Sequence, residues 1–254
     1  MHVHAFHADK PDSVVFLHGA HTGGWMWKNV VAELTDFHCL CIDLPGHGDS
    51  AGIAWSSFAA VSDAVAKCIE KHAGGRCHVV GFSLGAYIAL HLLARAPQCV
   101  DTALFSGVQS RPIPRAWALK PVASLLAPFI HTSWYLKLGA KGMSIPDADQ
   151  PEFIRQCQRN TKQAFRQINR EAWSFTPPSA ALTGTHRKLF LAGAREHSLV
   201  TTSLTDFAEA NAALSALVPG LGHAWCAEDP ALFASVVRHW IKDQPLPATL
   251  EPVK

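Results

Sequence analysis

One serine lies between two glycines, in the segment Gly81–Gly85 (GFSLG), directly after an apolar run over residues 77–80. A serine on a sharp turn between a strand and a helix projects its hydroxyl, and larger side chains two positions away would collide with neighbouring backbone. The helix that follows directs its free N–H groups and its dipole at developing negative charge. This context predicts that Ser83 is a nucleophile for acyl transfer.

A nucleophilic serine needs a histidine base at the same edge of the sheet. The chain has 15 histidines, and His223 follows two glycines in a loop after the predicted strand 214–218. We therefore predict His223 as the base. His47, in the glycine-rich sequence PGHGDS, remains the alternative. His18 ends an apolar run, so we interpret it as a buried residue that braces its loop.

The histidine in turn needs a carboxylate that orients its ring. Glu196 stands three residues after Gly193, in the loop after the predicted strand 188–193, whereas the loop after the predicted strand 100–106 has no acid. Asp206 and Asp229 fall on or next to predicted helices, which favours surface or capping roles. We therefore predict a triad of Ser83, His223 and Glu196.

Acyl transfer also needs donors for the negative oxygen that forms at the carbonyl carbon. The loop after the apolar run 14–18 can direct the amide of Ala20 at this oxygen, together with the amide of Leu84. Ala20 and Leu84 are therefore the predicted oxyanion hole.

The elements that must position these residues alternate between short apolar runs and helical patterns. Such alternation predicts an α/β fold, a doubly wound and mostly parallel sheet of about seven strands. Residues 108–184 break the rhythm and hold 8 of the 16 prolines. They are too long for an ordinary connection, so we predict a helical cap over a core of residues 1–107 and 185–254.

Composition limits the function further. There are 22 basic and 20 acidic residues, a net charge of +2, so no strong field for nucleic acid or an anionic membrane is expected. No run of 18 apolar residues and no secretory signal pattern occur. Seven cysteines without CxxC pairing indicate reduced thiols, a cytoplasmic location and no zinc site.

Three histidines near the start of the chain, His2, His4 and His7, could form a metal-binding segment. Their spacing fits an exposed edge strand better, and we expect no carboxylate cluster beside them. We therefore predict no metal, and the triad needs no cofactor.

The order Ser83, Glu196, His223 resembles the α/β-hydrolase fold superfamily over essentially the whole chain. Residues 18–25 (HGAHTGGW) resemble small esterases related to plant methylesterases and hydroxynitrile lyases, and residues 43–50 (DLPGHGDS) look like bacterial members. The sequence departs from the family in two respects. The acid of the family's triad is usually Asp and here it is Glu196, and at most one strand precedes the first clear strand where the family usually has two. Dehalogenases and epoxide hydrolases use an Asp nucleophile, and Ala20 suits ester hydrolysis better than the Thr or Asn expected of the plant lyases.

The resemblance implies a serine carboxylic-ester hydrolase acting on a small, partly apolar ester. Two alternatives remain open: a C–C bond hydrolase or hydroxynitrile-lyase-like enzyme with the same triad, and a non-enzymatic ligand-binding protein. Large aromatic side chains are the candidates for lining the pocket: Trp25, Phe82, Trp117, Trp134, Trp173 and Trp225.

A helical pattern from Pro151 to about Trp173 carries cations every three or four residues, which places them on one helix face. These are Arg155, Arg159, Lys162, Arg166 and Arg170. Such a stripe is usually a solvated face. The alternative is an anionic partner, either a substrate with a carboxylate or phosphate or an acidic carrier protein.

Overall fold

Strands and helices alternate along most of the chain, in a computed structural model that describes residues 1–115, 127–143 and 145–253. The strands are β1 (Val3–Phe6), β2 (Ser13–Leu17), β3 (His38–Ile42), β4 (Cys77–Phe82), β5 (Val100–Ser106), β6 (Arg187–Gly193), β7 (Ala213–Val218) and β8 (Glu251–Val253). The helices are α1 (Lys28–Glu33), α2 (Phe58–His72), α3 (Leu84–Arg95), α4 (Ser133–Gly142), α5 (Gln150–Arg159), α6 (Lys162–Trp173), α7 (Ser179–Thr183), α8 (Ser198–Ala208), α9 (Trp225–Glu228) and α10 (Pro230–Ile241). None of these helices is long and apolar enough to cross a membrane.

The strands form one sheet in the order β1-β3-β2-β4-β5-β6-β7-β8. All neighbours from β3 to β7 pair in parallel, whereas β1 and β8 pair antiparallel at the two edges. The chain runs outward from β2 to β3 and then returns past β2 to β4. At such a reversal the loops after the two strands diverge and leave a crevice at their carboxyl ends. The residues that follow Leu17 and Phe82 therefore lie side by side.

Strand β2 is almost completely buried and divides the core into two layers. Val15 and Leu17 pack into one apolar cluster with helices α2, α3 and α8. Val14 and Phe16 pack into the other, with helices α1 and α10. Successive side chains of a strand point to opposite faces, so helices cover the sheet on both sides. The predicted doubly wound α/β fold is confirmed.

The expected count of about seven strands was one too low, because β8 pairs antiparallel with β7. This strand has three residues, including Pro252, and is too short to show an alternation of apolar and polar side chains. Proline is tolerated there because an edge strand leaves one side of its backbone without a strand partner. The single leading strand, β1, agrees with the sequence analysis.

Helices α4 to α7 lie between β5 and β6, within the segment predicted as a cap. Polar contacts join this segment to the rest of the protein. The ammonium of Lys28 lies 2.8 Å from a carboxylate oxygen of Asp149, and the amide of Phe58 donates to Glu171 at 2.9 Å. The boundaries 108 and 184, and the role of the segment as a cap, stay predictions.

The basic stripe does not lie on one helix as the sequence analysis expected. Helix α5 ends at Arg159, Asn160 and Thr161 have extended ψ angles of 141° and 142°, and α6 begins at the next residue. The hydroxyl of Thr161 accepts a hydrogen bond from the amide of Ala164 at 3.1 Å. This N-cap makes a new helix start more favourable than continuation of α5.

Two members of the stripe are also engaged in ion pairs. Arg155 pairs with Glu152 at 2.6 Å, and Arg159 pairs with Asp49 at 2.8 Å. Three exposed cations spaced four residues apart remain on one face of α6: Lys162, Arg166 and Arg170.

Candidate active site

Ser83 occupies a strained turn between β4 and α3. Its φ of 51° lies in the left-handed region, which is costly for a residue with a Cβ atom and persists only where the surroundings enforce it. A Cβ atom on Gly81 would lie 2.6 Å from the carbonyl oxygen of Gly85, and one on Gly85 would overlap the backbone of Leu17. Both glycines are therefore required for the reason that the motif suggested.

The loop after β2 passes directly over this turn. A Cβ atom on Gly19 would lie 2.7 Å from the ring of Phe82 and 3.5 Å from Cβ of Ser83. His18 is fully buried and braces the loop, with Nδ1 2.8 Å from the carbonyl oxygen of Gly19 and Nε2 accepting from the amide of Leu44 at 3.0 Å. Burial lowers the pKa of His18, so the ring is neutral.

The two residues predicted for the oxyanion hole lie at the ends of β2 and β4. Ala20 follows Gly19 in the loop after β2, and Leu84 is the first residue of α3. The amides of the first helical turn have no intrahelical acceptor. The assignment of Ala20 and Leu84 to the oxyanion hole stays a prediction.

His223 and Glu196 meet in a close pair. Nδ1 of the histidine lies 2.6 Å from Oε2 of the glutamate, whose side chain is only 1% exposed. The other oxygen, Oε1, accepts from the amide of Gly193 at 2.9 Å. Both carboxylate oxygens are therefore satisfied, and the loop after β6 fixes the acid. In this pair the glutamate can orient the imidazole and stabilise its protonated form.

Gly107 connects this pair to the serine turn. A Cβ atom at this position would lie 2.7 Å from Cε1 of His223 and 3.5 Å from Oε2 of Glu196. The backbone carbonyl of the preceding residue, Ser106, accepts a hydrogen bond from the amide of Ser83 at 2.8 Å. Sequence reasoning did not identify Gly107. Its signal was a glycine directly after a strand, which indicates close approach by another group.

The alternatives considered for the base and the acid, His47, Asp229 and Asp206, are each held by other contacts. His47 is 1% exposed, its Nδ1 lies 2.9 Å from the carbonyl oxygen of Pro45, and its ring centre is 5.1 Å from that of His18. Burial, with the nearby His18, holds the pKa of His47 well below its ordinary value. Asp229 caps α10 by accepting from the amide of Leu232 at 2.9 Å. Asp206 bonds to Ser110 and Arg111.

The aromatic residues named as candidates for lining the pocket differ in their burial and their contacts. Phe82 packs against His223 with ring centres 4.9 Å apart. Trp225 is a core residue instead, fully buried with Nε1 donating to Oγ of Ser106 at 2.8 Å. Trp134 is 55% exposed on α4. Trp25 and Trp173 are half-buried, and Trp117 lies outside the described residues.

Two cavities are lined in part by α4. One, of about 230 Å³, has mainly apolar walls from α4 and α5 and is also lined by His21, which follows Ala20. The other, of about 430 Å³, is lined by His223, Glu196 and polar groups of the loop after β6. Gly139 lines the first cavity and Gly142 lines the second, so α4 contributes to the walls of both. A larger cavity of about 620 Å³ lies at the distant β7–β8 edge.

The first histidines of the chain lie on and beside an edge strand, as predicted. The expectation that no carboxylates join them was wrong. Asp43 lies 3.1 Å from Nε2 of His4, and Asp49 lies 3.9 Å from Nε2 of His2. These acids follow β3, and the antiparallel pairing of β1 with β3 brings them to the histidines.

Comparison with known proteins places the fold in a wide group of enzymes. A family model described as the alpha/beta hydrolase family matches residues 14–236. The chain is 28% identical over 95% of its length to an AB hydrolase superfamily protein of Gibberella zeae, of which it covers 84%. A crystal structure of a hydrolase from Pseudomonas aeruginosa PA01 superimposes with a TM-score of 0.80 at 19% identity, covering 94% of this chain and 93% of the other.

Shorter matches reach higher identity. A pimeloyl-[acyl-carrier protein] methyl ester esterase of Methylococcus capsulatus is 42% identical over 34% of this chain and 33% of its own length. A 2-succinyl-6-hydroxy-2,4-cyclohexadiene-1-carboxylate synthase of Enterobacter sp. is 40% identical over 33% of each chain. Because these matches span only about a third of each protein, they leave the substrate open.

Proposed function

Since the chain belongs to the alpha/beta hydrolase family, we propose that it is a serine carboxylic-ester hydrolase acting on a small, partly apolar ester. The observation that carries the proposal is the His223–Glu196 pair, in which Nδ1 and Oε2 lie 2.6 Å apart. The pair packs against Gly107. The residue before Gly107, Ser106, accepts a hydrogen bond from the amide of Ser83. Relatives with esterase in their names support ester hydrolysis.

In the proposed mechanism the hydroxyl of Ser83 attacks the ester carbonyl carbon while His223 takes its proton. The amides of Ala20 and Leu84 donate to the oxygen that becomes negative. His223 then protonates the departing alcohol, which leaves an acyl group on Ser83. Water attacks this acyl-enzyme with His223 again as the base. The bond between the acyl carbon and Oγ of Ser83 then breaks, the carboxylic acid leaves, and His223 returns its proton to Ser83. Glu196 holds the ring in the required tautomer throughout.

The two cavities lined by α4 support a substrate with two different parts. The mainly apolar cavity of about 230 Å³ suits a short hydrocarbon group. The cavity that contains His223 is lined by Arg195 and His197 and suits a more polar group. The exposed cations of α6 support an anionic substrate or an acidic carrier protein, which approaches faster when the charges are complementary.

A second candidate function keeps the triad but changes the bond. It is favoured by the relatives named as cyclohexadiene-carboxylate synthases, which match as well as the esterases over a third of the chain. A C–C hydrolase or a lyase would belong to this class. A lyase accumulates no acyl-enzyme, so the covalent intermediate distinguishes it from an esterase. A ligand-binding protein without turnover is the third alternative.

The deciding experiment combines turnover with labelling of the serine. We expect the wild type to hydrolyse p-nitrophenyl esters and to be labelled by a fluorophosphonate at Ser83 alone. Ser83→Ala should lose at least about 10⁴-fold in kcat and all labelling while remaining folded. Ser56→Ala, an exposed serine before α2, is the matched control and should keep both. Labelling retained in Ser83→Ala would refute the nucleophile.

The compartment is part of the same proposal. All seven cysteines are free thiols. Burial raises the pKa of the Cys39 thiol to about 12, so this thiol is unreactive. Free thiols support a reducing, cytoplasmic location.

A further inference from the structure

Three side chains with metal-binding atoms meet at the outer edge of the sheet, away from the serine turn. His4 lies in β1 and His2 directly precedes this strand, and residues two apart along an extended chain point to the same side. Asp49 comes from the loop after β3. One ligand atom from each residue lies within 4.8 Å of the other two. The two rings meet edge to face with centres 4.5 Å apart.

The backbone around these residues is already fixed by hydrogen bonds. The amide of His2 donates to Oγ of Ser50 at 2.8 Å, and its carbonyl accepts from the amide of Asp43 at 3.0 Å. The amide of Asp49 donates to Oδ2 of Asp43 at 2.8 Å. The ligands therefore need little further ordering when an ion binds, which favours affinity.

Asp43 also stands behind His4, with Oδ2 3.1 Å from Nε2. The carboxylate of Asp43 is held in place by the amides of Gly24 and Asp49, which donate to it at 2.6 and 2.8 Å. A carboxylate in this position accepts one ring proton of a metal-ligating histidine, leaves the lone pair on the other nitrogen and makes that nitrogen more basic.

We propose that His2, His4 and Asp49 bind a divalent transition-metal ion of the zinc type, with Asp43 orienting His4. Two imidazoles and one carboxylate suit Zn²⁺, Co²⁺ or Ni²⁺, whereas Mg²⁺ and Ca²⁺ prefer oxygen ligands. Water completes the coordination. The site is separate from the proposed ester hydrolysis, because none of its residues belongs to the triad or the oxyanion hole.

The proposed ion shares Asp49 with a contact to the segment 108–184. Oδ1 of Asp49 accepts from the guanidinium of Arg159 at 2.8 Å, whereas Oδ2 faces His2. The ion and Arg159 can therefore use different oxygens of one carboxylate. Binding of the ion then connects β1 with the end of α5.

The test is a titration of the chelator-treated full-length chain with Zn²⁺ by calorimetry and with Co²⁺ by visible absorption. We expect one ion per chain, no competition from Mg²⁺ or Ca²⁺, and a rise in Tm with added Zn²⁺. His4→Gln and Asp49→Asn should each weaken binding at least about tenfold. His7→Ala is the matched control, because His7 follows β1 outside the cluster, and it should bind like the wild type.

The amino terminus and His2 could bind an ion without the other residues, and the same variants exclude this. If His4→Gln and Asp49→Asn bind Zn²⁺ as tightly as the wild type, the proposal is wrong. It is equally wrong if the wild type shows no saturable binding below millimolar Zn²⁺. Unchanged metal-free Tm values in the two variants establish that a lost affinity reflects lost ligands and not unfolding.

Discussion

Nδ1 of His223 lies 2.6 Å from Oε2 of Glu196, although the two residues are 27 positions apart in the chain. The glutamate side chain is 1% exposed and the histidine side chain is 27% exposed. The carboxylate is thus withdrawn from water while the imidazole faces a cavity. A buried carboxylate with no solvent competition orients its partner strongly, which is what a histidine base requires.

Loss of either member of this pair should reduce turnover by different amounts. We expect His223→Ala to lower kcat about as much as Ser83→Ala, because the residues of a triad act as a unit. Glu196→Gln should lower kcat by about 10³- to 10⁴-fold, since the amide no longer selects the productive tautomer. Steady-state kinetics on a p-nitrophenyl ester measures both. Asp206→Asn and Asp229→Asn are the controls, and a large loss in either with a silent Glu196→Gln would disprove the choice of acid.

Two glycines of α4 allow the two cavities to be tested separately. A Cβ atom on Gly139 or on Gly142 would meet no atom within 4 Å, so a side chain can start at either position without a clash at its first atom. Gly139→Leu should fill the apolar cavity and lower kcat/KM for long-chain esters about tenfold or more, with little effect on acetate. Gly142→Leu, on the same helix but among the lining of the other cavity, is the matched control. The same chain-length profile in both variants and the wild type would place the hydrocarbon group elsewhere.

The exposed cations of α6 should matter only for an anionic substrate. With such a substrate we expect kcat/KM to fall as salt is added, because salt screens the attraction that guides association. Arg166→Glu should reproduce this loss without lowering kcat for a neutral ester. Lys67→Glu makes the same charge change on α2 and should have a smaller effect. Equal salt dependence for charged and neutral esters would mean that these cations only solvate the surface.

Asp36 should stabilise the fold in a way that depends on pH. Its carboxylate lies 3.0 Å from Arg238 and 2.6 Å from Lys242, and although burial raises its pKa, these hydrogen bonds lower it from 3.8 to about 2. A carboxyl whose pKa is lower in the folded than in the unfolded state stabilises the protein fully at pH values above its unfolded-state pKa. This contribution is lost as the pH falls through about 2.

The side chain is 32% exposed, so solvent screening reduces the full effect. We expect Asp36→Asn to lower the free energy of unfolding by about 1 kcal/mol at neutral pH. The difference should disappear near the lower pKa. Urea unfolding at several pH values measures this. Asp243, the ion-pair partner of Arg187, has a side chain that is 82% exposed. Asp243→Asn should therefore change the free energy of unfolding little. A pH-independent effect of Asp36→Asn would contradict the electrostatic explanation.

Much of the candidate site could be predicted because local backbone constraints are written in the sequence. The glycines around Ser83 mark a turn that larger residues cannot form, and the glycines before His223 mark a flexible loop after a strand. The alternation of strands and helices determined the parallel sheet. In such a sheet, residues that follow different strands meet at one edge, so the order Ser83, Glu196, His223 was sufficient to suggest a triad.

Tertiary structure alone decided the features that depend on contacts between distant segments. The sequence analysis named Trp225 among the candidates for lining the pocket, whereas packing buries it against Ser106. Strand β8 exists because β7 offers a free edge, since its own three residues carry no pattern. The meeting of His2 and His4 with Asp49 follows from the antiparallel pairing of β1 with β3. A local pattern records which conformation a segment prefers, whereas strand register and side-chain packing depend on the whole chain.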